Sequence, residues 1–210
     1  MGKGIQQYFE LVAIAITAAL KFIMMDWLQW RGVYIAGICI FWLGYVVIRI
    51  RNNKEQPGLW GFRREGFRPS MFFLIPFIVI SILGCLLYAG FNNNLFFSWR
   101  IVPVLALYPL WGIIQQFLML GIISQNLGRL DSMKGKRVGI VLIVSALFSL
   151  MHFPDFFLVL FTFCLEILFI TVYFKWKNLW AIGMAHGWIA TFLLYYVLER
   201  SLWQELFLLN

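Results

Sequence analysis

The chain has 210 residues, of which 62% are hydrophobic, 19% aromatic and only 12% charged, with a mean hydropathy of +0.84; this excludes an ordinary soluble domain. A net charge of +8 would suggest a nucleic-acid partner in a soluble protein. Here the basic residues sit in short connections between apolar runs, so anionic membrane lipids are the expected partner and nucleic acid is not.

The opening segment, MGKGIQQYFE, leads into an apolar stretch that keeps Lys21 and shows no convincing A-x-A cleavage site, which predicts a retained first span. Gln6 stands where a myristoylation signal has Ser or Thr. A span needs about 20 apolar residues, fewer when the helix is tucked among others. Seven stretches qualify, at 8–25, 32–50, 70–91, 101–127, 138–152, 156–174 and 179–198. The expected fold class is an all-α polytopic membrane helical bundle of about seven transmembrane helices. It is read as a single integral membrane domain over 1–210, with peripheral helices and a basic loop over 1–98, a core over 99–198 and a tail over 199–210.

Of the 17 Lys and Arg residues, 13 fall at the N-terminus or in the second, fourth and sixth connections, which places those on the cytoplasmic side of a cell membrane. The second connection, RIRNNKEQPGLWGFRREGFRPS, mixes Trp60, Phe62 and Phe67 with arginines and reads as a topology-setting loop at headgroup depth. In the fourth stretch, Pro103 and Pro109 predict an early kink or break, with the helix proper beginning near Leu110. Beyond the last span, SLWQELFLLN reads as a short interfacial amphipathic helix. Cys39, Cys85 and Cys164 stand singly in apolar runs without CxxC spacing and read as small core residues.

Ionisable or strongly polar side chains inside spans are costly and are functional-site hypotheses by default. Gln115, Gln116, His152, Glu166 and His186 all lie deep in spans four to seven. At 1.5 Å per residue, Gln116, His152 and His186 sit about 20, 22 and 13 Å from the cytoplasmic edge. Ser145, Ser149 and His152 form a polar stripe on the fifth span, and Thr162, Glu166 and Tyr173 share a face of the sixth. His186 shares its face with Gly183 and Ala190, small residues that admit a neighbouring helix or a substrate. Taken singly, each His or Gln is equally well an interhelical hydrogen-bond partner, and Glu166 a protonated or paired carboxyl holding the bundle together. The first three spans show no polar pathway and no repeat is evident, which argues against a transporter.

Two motifs resemble the CPBP family, the type II CAAX prenyl proteases and bacteriocin-processing intramembrane endopeptidases. Phe148 to His152, FSLMH, matches the family's FxxxH, and Asn178 to His186, NLWAIGMAH, is similar to the approach to its HxxxN or HxxxD motif. The similarity covers about residues 110–192. Where the family has EExxxRG this chain reads QQFLMLG, with Gln115 and Gln116 at the glutamate positions and Leu120 at the arginine, and Ala190 replaces the Asn or Asp of the third motif. The resemblance implies that the first glutamate would activate a water while the histidines and Asn stabilise the oxyanion. A glutamine side chain has no accessible basic pKa and cannot take that proton.

Two readings follow. In one, a degenerate site binds a membrane-associated peptide or protein partner with weak or no proteolysis. In the other, a divergent endopeptidase cleaves membrane-associated or prenylated peptides with Glu166 as base, its burial suiting it to the task. A metal held by His152, Glu166 and His186 is a further alternative, but no HExxH-like clustering supports it, and no cofactor is expected.

Overall fold

A computed structural model describes residues 3–96 and 99–200. The helix expected in the tail at 201–210 lies outside them. Every regular element among the described residues is helical. Six helices, Gly4–Trp27, Gly32–Asn52, Phe67–Phe91, Ile101–Arg129, Phe156–Trp176 and Leu179–Val197, are long and apolar enough to cross a membrane. The fifth expected span is shorter: its helix covers Arg137–Leu150 and ends in a turn holding His152. Large apolar side chains stand exposed along these helices, as lipid-facing surfaces do, with Phe72 83% and Phe91 86% accessible.

The chain divides into two compact units, one made of Met1–Gly61 with Leu118–Thr171 and the other of Phe62–Phe117 with Val172–Asn210. The first holds α1 (Lys3–Leu20), α2 (Arg31–Asn52), α3 (Gln56–Trp60), and later α6 (Gln125–Arg129), α7 (Arg137–Leu150) and most of α8 (Phe156–Trp176). A widened turn, Lys21–Trp27, continues α1 and brings Lys21 against Asp26 at 2.7 Å, so the charge kept in the first span is paired. Tyr34 of α2 donates to the Thr17 carbonyl at 3.1 Å and Trp42 to the Thr17 hydroxyl at 3.2 Å, joining α2 to α1. An apolar cavity of about 470 Å³ between the two is lined by Phe9, Val12, Ile16, Val33, Ile38 and Phe41 among others.

The first unit carries a buried polar cluster that the sequence did not announce, centred on Glu10. Its carboxylate is 3% exposed and accepts from Gln6 at 2.7 Å, Asn126 at 2.5 Å and the Tyr45 hydroxyl. Gln7 adds a bond to the Asn126 carbonyl at 2.9 Å. Three donors from α1, α2 and α6 meet the need of a buried carboxylate and tie the N-terminal hairpin to the end of the Gln-bearing helix run.

The second unit is built on α4 (Phe67–Phe91), α5 (Ile101–Gln116) and α9 (Leu179–Phe192), with α9 packed against both others. The predicted break near Leu110 does not occur, because α5 runs unbroken from Ile101. Pro103 lies in the first turn, where no amide donor is needed, and Pro109 sits inside the helix, fully buried. The irregularity falls later, where Phe117–Ser124 forms a widened π-helical stretch after the two glutamines, a geometry that recurs at functional sites. The cysteines also differ from expectation. Cys85 is buried, but Cys39 is only half-buried and Cys164 faces outward from α8, on a surface that suits lipid.

Candidate functional site

The geometry of the second unit starts from glycines. A Cβ added to Gly112 of α5 would stand 2.5 Å from the Gly183 carbonyl oxygen, one on Gly183 2.6 Å from Ile113 Cα, and one on Gly187 2.6 Å from Pro109 N. Real side chains do not fit at such distances, so α5 and α9 cross backbone to backbone. Gln116 follows Gly112 by one turn and His186 follows Gly183 by nearly one turn, so the crossing brings their side chains together. Gln116 Nε2 lies 3.1 Å from His186 Nδ1, and the two residues are 0% and 5% exposed.

In this orientation of the Gln116 amide its nitrogen donates, so His186 Nδ1 accepts and the ring proton sits on Nε2. Gln116 therefore occupies the very lone pair with which His186 could take a proton, leaving the imidazole a hydrogen-bond donor at its far nitrogen. A glutamate in the same place would demand a proton on Nδ1 instead, reversing the polarity of the pair. Gln115, on the next face, is half-buried. Leu120, at the position of the family's arginine, is fully buried, and Ala190 is half-buried. These four positions carry no formal charge.

His152 belongs to the other unit and to the turn after α7, where its amide bonds the Ser149 carbonyl at 2.9 Å. The four-residue spacing of Phe148 and His152 has a visible purpose. His152 Nδ1 lies 3.2 Å from the Phe148 carbonyl, and the two rings meet edge to face with centroids 5.1 Å apart. Nδ1 therefore carries the proton and donates, placing the lone pair on Nε2. The Thr162 hydroxyl lies 3.4 Å from the same nitrogen while it donates to the Leu158 carbonyl at 2.6 Å. The two histidines thus hold opposite tautomers. His186 is arranged to donate from Nε2 and His152 to accept there.

Glu166 lies mid-way along α8 and is completely buried, as are Thr162 one turn earlier and Tyr173 on the same face. Ser145 and Ser149, predicted to share a stripe with His152, are buried too. Among the described residues no three His, Cys, Asp or Glu side chains gather as a ligand set for a metal ion, so the metal alternative finds no support in the geometry.

Reasoning from sequence singled out Gln116, His186 and the Phe148–His152 motif but missed several partners. Gly187 and Gly112 complete the crossing; the spacing of Gly183 and Gly187, the GxxxG pattern, was the available signal. Asn178 caps α9, its Oδ1 accepting from Ala181 N at 3.0 Å, as an Asn ahead of an apolar run foretells. Glu10 and Arg63, whose partners lie far along the chain, gave no local signal.

These features define a multi-pass helical membrane protein in which a buried imidazole is oriented by an amide and a half-buried one by a backbone carbonyl. Residues 97–192, which contain Gln115, Gln116, His152, Glu166 and His186, match a family model described as type II CAAX prenyl endopeptidase Rce1-like. The resemblance read from the motifs and the matched segment agree: residues 97–192 are CAAX-protease-like, in a chain with six helices long and apolar enough to cross a membrane. No curated protein and no solved structure matches the chain.

Proposed function

We propose that this protein keeps the CAAX-protease-like scaffold but has exchanged hydrolysis for binding, holding a membrane-associated peptide or protein partner with little or no proteolysis. The observation that carries the reading is the Gln116–His186 pair. Peptide hydrolysis needs a group that takes a proton from water and a group that stabilises the oxyanion. Here the amide at position 116 cannot take the proton, and it also covers the Nδ1 lone pair of the neighbouring imidazole. His186 Nε2 then carries the ring proton and can only donate, the polarity that stabilises an oxyanion. Leu120 fits the same reading, since without a glutamate pair no arginine is needed for charge balance. We place the N-terminus and the basic connections on the cytoplasmic side of a cell membrane, where Arg and Lys side chains meet anionic headgroups.

A second reading is favoured by the complete burial of Glu166 and by the lone pair on His152 Nε2. In it the chain is a divergent endopeptidase acting on membrane-associated or prenylated peptides, with Glu166 as base. Reconstitution in lipid nanodiscs with a prenylated peptide separates the two. Binding without cleavage is expected, and Glu166→Gln is expected to leave binding intact. Cleavage that Glu166→Gln abolishes would establish the second reading in place of the first.

A further inference from the structure

The loop over 62–66 that leads into α4 lies outside the matched residues, yet it grips the helix that carries His186. Arg63 donates through Nε to the Lys177 carbonyl at 3.1 Å and through Nη2 to the Trp176 carbonyl at 2.8 Å. Those carbonyls close α8, and Lys177 there adopts a left-handed φ of 49° that an L residue holds only under constraint. Asn178 answers in the opposite direction. Its Nδ2 donates to the Arg63 carbonyl at 2.6 Å and to the Glu65 carbonyl at 3.1 Å, while its Oδ1 caps α9. Asn178 is fully buried.

Two further contacts lock the loop. Gly66 has a φ of 77°, and a Cβ there would strike the Trp176 carbonyl, so only glycine allows the approach. Phe62 packs its ring on Phe117, the residue after Gln116, with centroids 5.6 Å apart, and on Trp180 in the first turn of α9 at 5.1 Å. One short loop therefore touches the end of the helix carrying Gln116 and the start of the helix carrying His186.

We infer that Arg63 and Asn178 are positioning residues that set the register of α9 and thereby hold His186 Nδ1 at the Gln116 amide. The inference rests on that pair being the working site. A plain topology-setting loop needs exposed charge, which Arg64 and Arg68 supply; it does not need a guanidinium spent on two helix-terminal carbonyls.

The test uses full-length protein in nanodiscs with isotope-labelled histidine rings. The chain has two histidines, so His152→Gln assigns both sets of ring resonances, and His152, oriented by Phe148 and Thr162, serves as an internal control. Arg63→Ala is expected to shift or broaden the His186 Nδ1 signal and leave His152 unchanged, with Arg63→Lys restoring part of it because one carbonyl stays in reach. Asn178→Asp keeps the cap on α9 but loses both donors to the loop, and is expected to reproduce the Arg63→Ala effect in a protein that folds. Unchanged His186 signals in Arg63→Ala and Asn178→Asp, or equal movement of both histidines, would overturn the inference. Peptide binding is read separately and bears on the proposed function alone.

Discussion

Replacing Gly187 by Ala tests the crossing on which the site depends. The added Cβ would lie 2.6 Å from Pro109 N, with other backbone atoms of α5 also within 3 Å, whereas ordinary contact begins at 3.4 Å. Backbone inside a helix cannot swing aside, and proline least of all; Pro109 Cα is nearer still, so α9 must retreat by at least about 0.8 Å (3.4 less 2.6). His186 is the next residue, and a retreat of that size takes its 3.1 Å contact with Gln116 toward about 3.9 Å, beyond hydrogen-bond range. Overpacking of this kind costs about 1–3 kcal/mol and a buried polar group left without its bond a similar amount, which gives about 2–5 kcal/mol in total. For a chain of this size that lowers the thermal midpoint by on the order of 5–15 °C. Gly84→Ala in α4 is the control. No atom lies within 4 Å of its added Cβ, so it is expected to be neutral or to stabilise by about 0.5–1 kcal/mol. Equal midpoints for the two variants in nanodiscs would refute the backbone-to-backbone crossing.

Other variants probe the first unit. Glu10→Ala strands the donors of Gln6, Tyr45 and Asn126 and is expected to destabilise by about 3–5 kcal/mol in denaturation of the nanodisc-embedded protein. Glu10→Gln is expected to cost only about 1 kcal/mol, because Asn126 can turn its amide: its Oδ1 accepts no hydrogen bond among the described residues. A Gln variant as damaged as the Ala variant would show that the charge, not the hydrogen bonding, is what matters at Glu10. Phe148→Leu removes the ring against His152 and is expected to cost about 1–2 kcal/mol while leaving the His152 ring proton on Nδ1, since the acceptor there is backbone. A change of tautomer in its histidine spectrum would contradict that assignment.

The spans were legible because about 20 apolar residues in a row have few other fates, and the short α7 differs only because a turn takes over before His152. Phe148 and His152 stood out as the FxxxH motif, but their contact forms where the helix has already given way to a turn. The prolines misled. Sequence shows the missing amide but not that Pro103 falls in a first turn or that Pro109 meets a glycine of another helix. Gly183 beside His186 announced a close approach without naming α5 as its partner. The Glu10 cluster and the Arg63 clamp were invisible for a different reason. Tyr45 and Asn126 lie 35 and 116 residues from Glu10, and the Trp176 carbonyl 113 from Arg63, so nothing in a local window connects them.

The central claim is that a CAAX-protease-like scaffold survives here without its base. Its most direct test is incubation of the nanodisc-reconstituted protein with a prenylated peptide, followed by mass spectrometry. The Gln116–His186 arrangement predicts intact peptide; specific cleavage that disappears in His186→Ala would contradict it.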